Sequence, residues 1–530
     1  MRLKQLILIG ALTLAGVLTV STQNYRLNRS FTSDEQERLD SITKTFSKAE
    51  MKEDIDFLYR VINEVNPQIK VLSSVMGEDF RSEMKRLKLR ADSIETFDEY
   101  YKIASKMLRL CNESHCEFTE YYVKDIDNGN VNPYITKDGL TLTEYCMLKY
   151  WERISYIGME YIDGKYYFPY TKYSITSRNC LSKRCGEEYF PVGSQVVEVD
   201  SIPIDEYISK YYAPSLAWCF DYNKKIARSL VEPYCYGLND SIRGPFDIKY
   251  KYQGKTDVTT MNRPNTRTFI VRNGIFSQSS NVYWFGKTKT LYIRIPQMDY
   301  NLLAKYQKKI SKYKNKEINK VIIDIRGNGG GNDMLWEGVL SSIIKNPISY
   351  DMLLYSNNMT LVRDYITNIR KEKLENYKII HSPHFLYSDS ALVIDKKDEI
   401  YPSVNSLAYD GKIYVLYNED CYSSSLAFIK VCNLSEQLVS AGVPTNNIVG
   451  RSSTPFYFSL PNTKLVFRMI PCLDVSGVKT NKDLFDHSPE LPITLTIEDY
   501  AREISYTKDR YGKKYLLNHD NAIKRILELE

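Results

Sequence analysis

The chain predicts an α/β core preceded by a helical unit and a mainly-β module, and three patterns carry that prediction. Beyond about residue 285, apolar runs suited to buried strands alternate with helical stretches of roughly ten residues or more, the pattern of parallel β-α units. Residues 49–64 and 97–110 place apolar side chains at helical spacing near the N-terminal end. Between about 130 and 280 the runs shorten to strand-like segments bounded by Gly, Pro, Asn and Asp. At 530 residues one compact core is excluded, since domains of about 150 residues give three to four units.

The elements follow in chain order. Arg2 and Lys4 precede an apolar stretch over residues 6–20, and Thr19-Val20-Ser21 offers small residues for cleavage, so residues 1–21 read as a signal peptide. The stretch falls short of the ~20 residues a spanning helix needs, and the first cysteine is Cys111, which leaves no thiol near the cleavage region to carry a lipid. A soluble, exported, periplasmic or extracellular protein without stable membrane insertion is expected. Residues 22–125 form the helical unit: Ile55, Leu58 and Ile62 share one face, as do Tyr101, Ala104, Leu108 and Cys111, before the polar turn Asn112-Glu113-Ser114-His115. Residues 126–280 form the mainly-β module, with a strand over 195–200. The core spans 285–500, with strands over 291–295, 321–325 and 413–416 and helices over 301–315, 334–344 and 424–432. Residues 501–530 are a C-terminal helical extension.

Composition narrows function. The 43% hydrophobic and 26% charged residues lie within the globular range. The net charge of +6 arises from 71 basic and 65 acidic residues spread along the chain, which is no basic patch for nucleic acid. The 44 tyrosines are scattered and read as half-buried strand residues; a polysaccharide-binding role has only them and export in its favour. Export would allow some of the ten cysteines to pair, Cys180 with Cys185 being one candidate. No CxxC or HExxH spacing occurs, and the five histidines do not cluster with cysteines, so zinc is not expected.

Three loops carry chemistry. Asp324-Ile325-Arg326-Gly327-Asn328-Gly329-Gly330-Gly331-Asn332 lies between a strand and a helix, where free backbone amides and a helix N-terminus suit an oxyanion. A P-loop would end in Gly-Lys-Ser/Thr and a dinucleotide loop would have a glycine where Asn332 stands. The second loop, Asn418-Glu419-Asp420-Cys421-Tyr422-Ser423-Ser424-Ser425, also runs from strand end to helix. Such a turn exposes a nucleophilic serine or supplies an ordinary helix cap. The third is Ser114-His115, where a histidine at a helix end is a candidate base or a loop residue without a chemical task.

Together the glycine loop with its Asp-x-Arg, the strand Tyr292-Ile293-Arg294-Ile295 and Val415-Leu416-Tyr417-Asn418 leading into Ser423 resemble the tail-specific, or C-terminal processing, serine proteases. The resemblance implies a ClpP/crotonase-like core, and residues 192–204 are similar to the PDZ-like module of these enzymes. In the Ser-Lys branch a lysine follows the nucleophile by about 25 residues; here Ile448-Val449-Gly450 is followed by Arg451-Ser452-Ser453, and a guanidinium stays protonated. Ser114-His115 instead resembles the Ser-His pair of the tricorn-core-like branch. That branch implies Ser423 as nucleophile, His115 as base, Ser114 orienting the imidazole, and the amides of Gly330 and Ser424 as oxyanion hole. The family's acidic ending falls on Asp483, with Asp486 next. The implied activity is hydrolysis of peptides or unfolded proteins through an acyl-enzyme, without a cofactor. The alternative is a catalytically inactive, peptide-binding relative of the same fold.

Overall fold

A computed structural model describes residues 31–77, 79–111, 113, 115–119, 132, 134–151, 159–168, 191, 193–211, 220–221, 226–227, 229–230, 246–261, 280–418, 421–445, 454–499, 502, 506 and 509–529. The expected signal peptide, Ser114, the Cys180–Cys185 pair and Arg451 lie outside the described residues.

Helix α1 (Lys48–Val65) opens with a capping box: the Ser47 hydroxyl accepts from the Glu50 amide, and the Glu50 carboxylate accepts from the Ser47 amide at 2.8 Å. Its apolar stripe, from Met51 through Ile55, Leu58 and Ile62, is buried. Helix α2 (Phe97–Leu110) opens the same way, with Thr96 and Glu99, and packs beside α1. After α2 the chain passes through the His115 turn into a two-residue strand, Glu117–Phe118.

That short strand joins the N-terminal unit to a distant hairpin. Glu117 and Phe118 pair antiparallel with Arg468 and Phe467 of strand Val466–Met469, which pairs in turn with Phe456–Ser459. The hairpin tip is bound to α1: the buried Asp54 carboxylate accepts from Asn462 N at 2.7 Å, Thr463 N at 3.0 Å, Thr463 Oγ1 at 2.6 Å and Tyr100 Oη at 3.0 Å. Carboxylate acceptors that gather several buried donors fix geometry as well as satisfying polarity.

The middle segment forms an antiparallel sheet in the order Lys255–Met261, Phe246–Tyr252, Ser194–Val199, Lys165–Phe168, Met159–Ile162, Ser229–Leu230. The expected strand over 195–200 falls on Ser194–Val199. Asp200 and Ser201 both take positive φ and turn the chain into helix Ile204–Tyr211.

The largest described α/β element is a six-stranded sheet in sequential order: β1 (Val282–Phe285), β2 (Thr290–Arg294), β3 (Lys320–Asp324), β4 (Ile413–Tyr417), β5 (Leu438–Gly442) and β6 (Leu491–Pro492). Only β1 is antiparallel to its neighbour. Both faces are covered, as parallel sheets require. Leu291, Ile293, Val321, Ile323, Ile413 and Val415 pack with helix α3 (Asp333–Ser341) and helix α4 (Ser424–Cys432), where Trp336 and Phe428 stack at 4.9 Å. The alternate residues Tyr292, Ile322, Tyr414 and Leu416 pack with the C-terminal residues Leu516, Ile523 and Ile526.

One large element is absent from the sequence reading. Between α3 and β4, strands Ile348–Asn357 and Ser390–Ile400 form a long antiparallel ladder within a second, four-stranded sheet. The first alternates buried and part-exposed residues along Ile348, Tyr350, Met352 and Leu354. The second carries Asp395-Lys396-Lys397-Asp398 on exposed or part-exposed positions, which erases the apolar period that marks a strand in sequence.

Candidate active site

Ser423 sits where β4 ends and α4 begins, with φ 57° and ψ −121°. A positive φ is uncommon for a residue with a Cβ and costs of the order of 1–3 kcal/mol unless the surroundings impose it. Ser423 makes no side-chain cap to its helix; its carbonyl accepts from Leu426 N and Ala427 N at 2.8 and 3.1 Å. The cap reading of this serine therefore fails. The strained turn leaves a half-buried hydroxyl and presents the Ser424 amide as the first N–H of α4, a position with no intrahelical partner.

The glycine loop lies against this turn. Gly330 has φ 101°, and a Cβ there would stand 2.7 Å from Ser423 Cβ and Tyr422 O and 3.0 Å from Ser424 N. Only glycine allows that approach. Gly331, at φ 136°, is pressed equally hard against Met298 O. Asn328 ties the two loops together: its Nδ2 donates to Ile295 O at 2.9 Å, its carbonyl accepts from Tyr422 N at 3.1 Å, and its Oδ1 accepts from Gly330 N at 2.8 Å. The Gly330 amide expected to hold an oxyanion thus has a partner already, the Asn328 side chain, because the loop folds that carboxamide back beneath it.

A buried charge cluster holds the loop from below. Asp324 accepts from Arg326 Nη2 at 2.6 Å and from Tyr292 Oη at 2.8 Å, while Arg326 also reaches Asp520 at 2.8 Å. Burial alone would push the Asp324 carboxyl up, but Arg326 and Arg294 outweigh it and hold it below the usual carboxylate range. Arg294 is fully buried, donates to the carbonyls of Asp324 and Arg326, and lies 4.0 Å from the Tyr511 ring centroid. The Asp-x-Arg of the motif is structural: it clamps the turn and docks the C-terminal extension.

His115 arrives from the other side. Its ring stacks on Tyr422 with centroids 4.8 Å apart and planes at 28°. Nδ1 is 3.0 Å from Glu113 Oε1 and 2.6 Å from the Tyr422 hydroxyl. Tyr422 also donates to Glu113, whose other oxygen accepts from the His115 amide at 2.6 Å. His115 is therefore brought to the residue beside Ser423. Among the described residues no hydrogen bond joins the two side chains directly, a spacing common in sites without substrate.

Asp483 lies in a surface turn, where its carboxylate accepts from Thr480 N at 2.8 Å and Lys479 N at 3.0 Å. Those backbone bonds hold it below the usual carboxylate range. Asp486 Oδ1 accepts from Ser488 N at 3.0 Å. Among the described residues neither acid contacts His115 or Ser423; the carboxylate on the imidazole is Glu113, which the sequence reading passed over. Its signal was its place two residues before the histidine in a polar turn. Tyr422 and Asn328 were also passed over, because neither type marks a site by itself. Among the described residues no group of three or more His, Cys, Asp or Glu could hold a metal, and no helix is long and apolar enough to cross a membrane.

Residues 289–463 match peptidase family S41. None of the curated proteins compared with the chain matches it. Among solved structures, mature CPAF complexed with lactacystin shares 13% identity over 90% of this chain and 98% of its own, with a TM-score of 0.53. Mature CPAF alone shares 14% identity over 90% and 97%, also at 0.53. A serine-to-alanine CPAF mutant shares 13% over 91% and 98%, at 0.54. At these identities the likeness is one of fold. The glycine loop, the Ser423 turn and the strands β3 and β4 that carry them lie within the segment that matches peptidase family S41.

Proposed function

We propose that the protein is an exported serine-type endopeptidase that cleaves peptides or unfolded proteins through an acyl-enzyme on Ser423, with His115 as base. The core is read as ClpP/crotonase-like and the middle sheet as the PDZ-like module of a tail-specific protease. The observation that carries the reading is the strained Ser423 turn pressed against Gly330, with His115 stacked on the adjacent residue. A proton on His115 Nδ1, donated to Glu113, leaves the Nε2 lone pair as the basic atom. Nε2 takes the Ser423 proton as the oxygen attacks the peptide carbonyl, then returns it to the leaving amine; water hydrolyses the ester by the same route. In this scheme Ser114 keeps the orienting role that the resemblance implies for it, and Glu113, not Asp483, is the carboxylate on the imidazole.

The Ser424 amide supplies one oxyanion donor. For the Gly330 amide to supply the second, its bond to Asn328 Oδ1 has to be exchanged for the substrate oxyanion. Each such donor is worth about 100- to 1000-fold in rate. The occupied Gly330 amide is also what favours the second reading, an inactive relative that binds peptides. Incubation of the purified chain with a denatured protein, followed by mass analysis of fragments, decides between them. Fragments formed by wild type and absent with Ser423→Ala support the peptidase; intact substrate that is bound by both supports the second reading.

A further inference from the structure

We propose that Asp333 is a positioning residue for hydrolysis at Ser423: it holds the Ser424 hydroxyl and thereby aims the Ser424 amide at the oxyanion. The inference rests on the peptidase reading above. Asp333 is the first residue of α3, directly after the glycine loop and its cap Asn332, and Ser424 is the first residue of α4, directly after Ser423. The two helix starts meet through side chains: Ser424 Oγ donates to Asp333 Oδ1 at 2.5 Å, and the same oxygen accepts from Trp336 Nε1 at 3.2 Å. Trp336 is fully buried and stacks on Phe428 of α4, with ring centroids 4.9 Å apart and planes at 8°. One carboxylate oxygen thus gathers a donor from each helix where the two are already packed together.

The bond bears on the amide through the peptide unit between Ser423 and Ser424. That unit carries the Ser423 carbonyl, which accepts from Leu426 N and Ala427 N, and the Ser424 N–H, which the ladder of α4 leaves without a partner. It follows a residue at φ 57°, and a strained turn of this kind persists only where its surroundings fix it at several points. Gly330 is one such point, since a Cβ there would stand 3.0 Å from Ser424 N. The Asp333 bond, which anchors the Ser424 side chain, is another. Ser425 shows that this bond is no general property of the serine run: its hydroxyl is buried and has no partner among the described residues. Asp333 lies in the first turn of α3 and beside the first residue of α4, where the positive ends of both helices offset its charge. A carboxylate is therefore tolerated near a developing oxyanion.

The test measures kcat and KM for hydrolysis of dye-labelled unfolded casein by the full chain, with circular dichroism to show that each variant is folded. Ser424→Ala keeps the amide and removes the hydroxyl, and Asp333→Ala removes the acceptor. Deleting an oxyanion donor costs about 100- to 1000-fold, and misaiming one is expected to cost about 10-fold in kcat with KM unchanged in each variant. Because the two residues act through one bond, the double variant should again lose about 10-fold, not the product of two losses. Ser424→Thr, which keeps the hydroxyl, should retain the wild-type kcat, and with Ser424→Ala it decides the matter if Asp333→Ala does not fold. Folded Ser424→Ala with the wild-type kcat, or a double variant that loses the product of the single effects, overturns the role of Asp333 and leaves the peptidase reading standing. Folded wild type that neither cleaves casein nor takes a fluorophosphonate label on Ser423 overturns both.

Discussion

The Tyr422 hydroxyl meets His115 Nδ1 at 2.6 Å while the two rings stack 4.8 Å apart, so the residue preceding Ser423 is also the platform for His115. Two segments far apart in sequence are thereby registered on one aromatic contact. Its polar edge is completed by Glu113, which bonds both partners.

Glu113→Gln removes the negative charge that stabilises an imidazolium but keeps the shape. The expected result is a loss in kcat of the order of 100-fold, with little change in KM. Tyr422→Phe keeps the stack and loses one hydrogen bond, so it should cost less than Glu113→Gln in the same assay. Equal activity of Glu113→Gln and wild type would remove Glu113 from the mechanism.

Gly330→Ala places a methyl group 2.7 Å from the Ser423 turn at a φ of 101°. Strain of about 1–3 kcal/mol is expected in denaturant unfolding, together with loss of hydrolysis, since either the glycine loop or Ser423 must move. Gly77→Ala, whose Cβ meets nothing within 4 Å, has a similar backbone penalty and should leave hydrolysis intact.

Asp54→Ala tests how His115 is delivered. It leaves buried donors of Thr463 and Tyr100 without their acceptor, a destabilisation of about 3 kcal/mol. It also frees the hairpin that pairs with Glu117–Phe118. Unfolding measured by denaturant should shift by that amount, and activity should fall in the folded fraction because the His115 loop loses its tether.

Acid should loosen the glycine loop. The folded Asp324 carboxyl titrates below its ordinary value, so the unfolded chain takes up that proton first as pH falls. The associated stability is fully present above about pH 4, the ordinary carboxylate value, and is lost as pH falls through the depressed folded value. Asp324→Asn should flatten that part of the stability–pH curve while lowering stability at neutral pH, because it leaves the buried arginines short of charge.

Much of this was legible in the chain itself. Helix 97–110 and helix 424–432 coincide with the observed Phe97–Leu110 and Ser424–Cys432, because clear apolar periods meet clear polar boundaries. The strands over 291–295 and 321–325 are found one residue earlier, and their contiguous apolar runs reflect burial on both faces. The partner of His115 was not legible. Glu113 and Tyr422 converge through the pairing of Glu117–Phe118 with a hairpin far along the chain, and a two-residue strand leaves no period to read. The Asn328–Gly330 bond was equally hidden, since it depends on φ values along the glycine loop.

The most direct test of the account is labelling of the folded chain with a fluorophosphonate serine probe, with Ser423→Ala and His115→Ala beside it. The account expects wild type to be labelled on Ser423 and both variants to lose the label while remaining folded by circular dichroism. Folded wild type that takes no label, or label that persists in Ser423→Ala, would contradict it.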